Sequence, residues 1–201
     1  MLNPAAIGAV GVDAGLVAAL TSTVAIGASA VAVRARRAVR RTTAELDRLA
    51  AHDAVSDLPN RSGLRGWLEA DLAGAAGQTT EIGLLLIDLE RFRHVNDMFG
   101  REVGDQLIRG VADRIRSVLG PGDRLARFGG DEFALVSSGL TGTSGLASHA
   151  ARLIRLIEQP YSIGGQTIRI SASVGAVLAS GASPSADDLI HHADVARYQA
   201  N

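Results

Sequence analysis

Residues 81–88, Glu-Ile-Gly-Leu-Leu-Leu-Ile-Asp, constrain the fold more than any other stretch of this chain. Between the two acids the run is apolar without alternation, so it reads as a central strand buried on both faces. A strand with one wet face would alternate instead. Helices must therefore cover both sides of the sheet that holds it. Asp88 closes the run at the rim, where the chain leaves the sheet and a polar side chain becomes tolerable.

The neighbouring segments supply those layers. Ser62–Ala76 has helical periodicity through Leu64, Trp67, Leu68 and Leu72, and Glu90–Phe99 predicts a short helix stopped by Gly100. Val103–Leu119 predicts a longer helix with Leu107, Ile108, Val111 and Ile115 inward, ended by Gly120-Pro121-Gly122. Arg124–Phe128 and Phe133–Ser137 read as strands of a hairpin around Gly129-Gly130-Asp131-Glu132. Thr141–Ser148 reads as a Gly/Ser/Thr-rich loop, with a helix from Ala147 to Glu158 ended by Pro160. Gly164-Gly165 turns a small hairpin, Thr167–Leu178 is one long or two broken strands, and Ser185 caps a last helix through Gln199. The expected class is α+β, with helices packed on a mostly antiparallel central sheet.

The first 33 residues have a different character. Gly15–Val33 carries no charge over 19 residues, and five arginines follow at positions 34, 36, 37, 40 and 41. Such a run nearly spans the ~30 Å hydrocarbon core, and the positive charge behind it stays cytoplasmic. Residues 1–33 are therefore expected to be a single-pass anchor in the cytoplasmic membrane, with the body of the chain inside. A buried Ala-rich helix and a signal peptide cleaved near Ala28-Ser29-Ala30 are the competing readings. Residues 34–52 read as a helical linker, and 53–201 as the domain.

Composition narrows the chemistry. The chain has no cysteine, and every basic residue is arginine. Disulfide frameworks, thiolate metal sites and lysine chemistry are thereby excluded. Residues 42–201 hold fifteen arginines against twenty acids, a balance near −5. That is the wrong sign for a nucleic-acid polymer as partner, and 3% aromatics leave little for base stacking.

If the hairpin lies beside the 81–88 strand, Asp88, Asp131 and Glu132 converge on one edge. Clustered carboxylates repel unless a cation sits among them. Oxygen donors without His or Cys suit Mg²⁺ or Mn²⁺, and Mg²⁺ commonly shares phosphate oxygens with its substrate. That chemistry is nucleotide phosphoryl transfer. Acids in a hairpin tip are also ordinary solvated turn residues, so the cluster alone does not decide.

Taken together, five stretches resemble one family. Arg127-Phe128-Gly129-Gly130-Asp131-Glu132-Phe133 is similar to the signature of GGDEF domains, the diguanylate cyclases. Asp88-Leu89-Glu90-Arg91-Phe92-Arg93-His94-Val95-Asn96-Asp97, Gly104-Asp105, Asp53 to Asn60-Arg61, and Ala193-Asp194 to Tyr198 resemble its other motifs in order. The resemblance covers 53–201. It implies a nucleotidyl-cyclase, palm-like α+β fold that joins two GTP molecules into cyclic di-GMP across a homodimer. Asp131 and Glu132 would be catalytic. Asp88, Asp131, Glu132 and the Leu89 carbonyl would hold Mg²⁺ or Mn²⁺. Asn96 and Asp105 would read guanine, Arg93 would take the phosphate-binding lysine's place, and Gly129 and Gly130 would let the backbone approach the nucleotide.

The chain also departs from the family. Gly120-Pro121-Gly122-Asp123 stands where an Arg-x-x-Asp inhibitory motif is usual, so product feedback there is expected to be absent or weak. Glu90 replaces an Asp and Arg101 a His. Asn201 stands at the position of a phosphate-contacting lysine, and the usual C-terminal end of the family is lacking. A degenerate domain that binds GTP or a partner protein without turnover is the alternative these departures raise.

Overall fold

The structure is a computed structural model that describes residues 51–75, 81–140, 142–179 and 185–200. Its elements are α1 (Arg61–Ala75), β1 (Ile82–Glu90), α2 (Phe92–Phe99), α3 (Arg101–Arg116), β2 (Arg124–Arg127) and β3 (Glu132–Ser138). Then come α4 (Gly142–Ile157), β4 (Tyr161–Ile163), β5 (Gln166–Ile168), β6 (Ser171–Ala179) and α5 (Ala186–Ala200). A four-stranded sheet has the order β2-β3-β1-β6 with every pair antiparallel, and β4 and β5 form a separate hairpin. The class is α+β, as expected. Residues 1–50 lie outside the described residues, and with them the expected anchor and most of the linker. Among the described residues no helix is long and apolar enough to cross a membrane.

β1 is the buried centre that its unbroken apolar run requires. Leu85, Ile87 and Leu89 face one core with Phe133 and Leu135, covered by Leu107, Ile108, Val111 and Ile115 of α3 and Leu153 and Ile157 of α4. Ile82, Leu84 and Leu86 face the other with Ala134 and Val136, covered by Leu64 and Leu68 of α1 and Leu189, Ile190 and Ala193 of α5. Each fully buried leucine or isoleucine contributes about 1.5–3 kcal/mol relative to exposure.

One boundary differs from the expectation. Residues 142–148 are helical, because α4 begins at Gly142 rather than at Ala147. The Gly142 N–H donates to Glu81 Oε2 at 2.8 Å, so the α4 N-terminus is capped by a residue 61 positions away. Of the two readings open for Thr167–Leu178, the structure has the two strands, interrupted at Arg169-Ile170. At the other end of α4, the Arg114 guanidinium donates to the carbonyls of Leu156, Ile157, Gln159 and Pro160 and lies 3.5 Å from the Tyr161 ring centroid.

Candidate functional site

The β1–β3 register builds the site. Asp88 and Glu132 are direct cross-strand partners, and the Leu89 N–H donates to the Asp131 carbonyl at 3.1 Å. The hairpin closes tightly, with Phe128 N–H donating to the Glu132 carbonyl at 2.8 Å. Asp88, Asp131 and Glu132 therefore reach one edge of the sheet. The space at Gly129 is taken by the Glu132 carboxylate, since a Cβ there would stand 2.8 Å from Oε2, whereas Gly130 faces open space. Gly129 thus makes room within the protein, a reason for glycine additional to the expected nucleotide approach.

Beyond Glu90 the chain reverses through Arg91, whose φ of 60° is left-handed, and its carbonyl accepts the first helical N–H groups of α2. Leu89, Glu90, Arg91, Phe92 and Arg93 then share a cavity of about 430 Å³ with Asp88, Asp131 and Ser173. Asn96 and Asp105 belong to α2 and α3. Gly104 lets these helices close, because a Cβ there would collide with the Asn96 side chain and stand 3.3 Å from Phe92. The pair that the resemblance implies for reading guanine therefore lies at the junction of α2 and α3.

Electrostatics at the edge are unfavourable to charge. Burial, opposed by Arg197 and reinforced by Asp131, raises the Asp88 carboxyl above its ordinary value. Burial also raises Glu132, with Asp88 and Asp131 adding to it and Arg197 opposing. Among the described residues no three carboxylate or imidazole side chains stand together in metal-holding geometry. Instead the Arg197 guanidinium donates to Asp88, lies 3.3 Å from Glu132 Oε1 and 2.7 Å from Asp194 Oδ1. Ser173, opposite Asp88 on β6, is buried with no hydrogen-bond partner for its hydroxyl. The donor set, all oxygen with one orphaned hydroxyl beside it, fits a hard divalent cation in kind.

Several contributors had no assigned role in the sequence. Arg127 donates to the Gly129 and Gly130 carbonyls and to Asp53 Oδ1 at 2.7 Å, tying the signature turn to the segment before α1. Its place in the signature was visible, but its partner lies 74 positions away. Arg197 sits inside the closing-helix motif and Ser173 in none, and only packing brings them to Asp88. Asp123 is engaged internally, accepting from Ser137 Oγ at 2.6 Å and from the Gly120 N–H at 2.8 Å.

Comparison with known proteins agrees with this architecture. The family model described as diguanylate cyclase, GGDEF domain, matches residues 50–201. The chain is 35% identical over 204 residues to the bifunctional diguanylate cyclase/cyclic di-GMP phosphodiesterase MucR of Pseudomonas aeruginosa, covering 94% of this chain and 30% of that protein. It is 34% identical over 156 residues to diguanylate cyclase TpbB of the same species, covering 77% of this chain and 36% of TpbB. The chain thus spans about a third of the length of these relatives. Among solved structures, a sensory box/GGDEF family protein from Caulobacter crescentus superposes with a TM-score of 0.69 at 32% identity, covering 75% of this chain and 97% of that one. A family match over three quarters of the chain, on a sheet whose register gathers the signature acids, shows that this chain belongs to the GGDEF, or diguanylate cyclase, domain family.

Proposed function

We propose that the chain condenses two GTP molecules into cyclic di-GMP and two pyrophosphates. The observation that carries this reading is the convergence of Asp88, Asp131 and Glu132 at one sheet edge, beside a cavity lined by Arg91 and Arg93. Asp88, Asp131, Glu132 and the Leu89 carbonyl are the residues that would hold Mg²⁺ or Mn²⁺. When bound, such an ion offsets charge on the α-phosphate and on the departing pyrophosphate. Arg93 supports the triphosphate from the α2 side. Asn96 and Asp105 discriminate guanine, an amide and a carboxylate being complementary to its carbonyl and N–H groups.

In the reaction each 3′-hydroxyl oxygen bonds to the α-phosphorus of the other nucleotide. The bond from that phosphorus to the pyrophosphate oxygen breaks, and the hydroxyl proton passes to solvent water. Two nucleotides facing each other require two domains, so the reading includes a homodimer. It also includes a membrane anchor in residues 1–33, with the domain on the cytoplasmic side, on the strength of the uncharged run and the arginines behind it. With Asp123 held by Ser137 and no arginine at position 120, feedback by product at that place is expected to be absent or weak.

The alternative is a degenerate domain that binds GTP or a partner protein without turnover. What favours it is Arg197, which occupies the oxygens of Asp88 and Glu132. Incubating the full chain with GTP and Mg²⁺ and separating the nucleotides by chromatography distinguishes the two. Cyclic di-GMP is expected from the unaltered protein, falling at least about a hundred-fold in Asp131→Ala. GTP binding with no product from the unaltered protein selects the alternative.

A further inference from the structure

A single guanidinium serves three acids on the α5 side of the site. Arg197 Nη1 donates to Asp88 Oδ2, Nη2 stands 3.3 Å from Glu132 Oε1, and Asp194 Oδ1 accepts from Nη2 at 2.7 Å. The side chain is only 18% exposed. Its stem starts where α5 comes close to β6. A Cβ on Gly175 would collide with the Ala193 carbonyl and Arg197 N–H and stand 2.6 Å from Arg197 Cβ. Helix α5 therefore lies flat on β6 with Arg197 aimed at the acids.

The second observation is independent of the acids. Ser173 is 6% exposed, is paired with Asp88 in the β1–β6 register, lines the cavity with Asp88 and Asp131, and its hydroxyl has no partner. Buried hydroxyls are normally satisfied. An orphan facing the Asp88 carboxylate points to a polar ligand there, in an arrangement other than the one in which Arg197 claims Asp88.

We propose that Arg197 is the resident counter-cation of the carboxylates and competes with the divalent ion for Asp88 and Glu132. The inference rests on the metal-site reading of those residues. A divalent ion on these carboxylates would sit within a few ångströms of the guanidinium and repel it, and an arginine cannot shed its charge by deprotonation. Metal binding is then an exchange: the guanidinium leaves Asp88 and Glu132 and stays with Asp194, one helical turn back. A cavity of about 450 Å³ bounded by Arg197, Glu132, Asp187 and Asp194 gives it room on that side. Asp88, once released, is free to accept from Ser173.

The test uses Mn²⁺ alone, without nucleotide, titrated into the full chain and followed by electron paramagnetic resonance. The unaltered protein, Arg197→Leu, Arg197→Lys and Asp88→Asn are compared, with circular dichroism and thermal melts reporting the fold. Arg197→Leu is expected to bind Mn²⁺ tighter by on the order of ten-fold. Its melting temperature should rise more on adding Mn²⁺ than that of the unaltered protein. Arg197→Lys, which keeps the charge but not the forked donors, is expected to fall between and serves where the leucine variant does not fold. Equal or weaker Mn²⁺ affinity in the folded variants, with binding still lost in Asp88→Asn, overturns the competition while leaving the metal site intact. No Mn²⁺ binding by any of the proteins overturns both.

Discussion

Asp53 accepts hydrogen bonds from the N–H groups of Val55 and Ser56, from Ser56 Oγ and from Arg127. Burial by itself would raise its carboxyl. Arg127 and Ser56 outweigh that and hold it below the ordinary 3.8. A depressed native value means that the unfolded chain binds more protons in the acid range, so the contribution is present above 3.8 and is lost as pH falls through the native value. Denaturant unfolding from pH 7 down to pH 3 checks this. The stability gap between the unaltered protein and Asp53→Asn should be flat near neutrality and shrink below about pH 4. A pH-independent gap would show that the carboxylate's charge is not what holds the turn. Asp88 and Glu132 have the opposite sign. Their raised native values place their contribution below 3.8 and 4.5, lost as pH rises. The domain is stabilised by the structural acid and strained by the site acids, the pattern expected where charges are gathered for function.

The contact of α5 with β6 decides the site's α5 wall. Because the atoms that a Gly175 side chain would meet are backbone atoms of Ala193 and Arg197, they cannot rotate aside. Gly175→Ala is therefore expected to push the helix outward and to cost about 1–3 kcal/mol, measurable by urea unfolding. The same variant moves Arg197 off Asp88, so its metal-free stability should fall by more than packing alone explains. A variant as stable as the unaltered protein would show that α5 yields freely. The element scale also shows where local sequence is a poor guide. Gly142-Thr143-Ser144-Gly145 is a weak helix former, and α4 begins there because Glu81 supplies a cap from the far end of β1. No local pattern contains that contact.

For the whole molecule the reading requires two domains in one reaction, whereas one domain supplies only one set of acids. Specific activity is then expected to rise with protein concentration below the dimer dissociation constant and to level off above it. Initial rates over a dilution series, with sedimentation at the same concentrations, measure both. Unchanged specific activity in samples that sediment as monomers would end the two-domain mechanism. The relatives named above are about three times as long as the matched span.

By itself the sequence determined the layers and the hairpin that carries Asp131 and Glu132. The unbroken run 82–87 demands cover on both faces, and it is covered by α3 and α4 on one side and α1 and α5 on the other. The turn residues around Gly129-Gly130 placed Asp131 and Glu132 at a hairpin tip because glycine and acids there leave few other backbone choices. Helical periodicity located α1 and α3, and the Gly100 stop and Ser185 cap located α2 and α5, to within a few residues. What tertiary structure alone decided is which side chains meet across long separations: Arg127 with Asp53, Glu81 with Gly142, and Arg197 with Asp88, 109 positions apart. Periodicity reports which face of an element is buried. The register between strands and the depth at which a helix settles on a sheet depend on packing of the whole core. Those two quantities bring Asp88 opposite Glu132 and Ser173, and lay Arg197 among the acids.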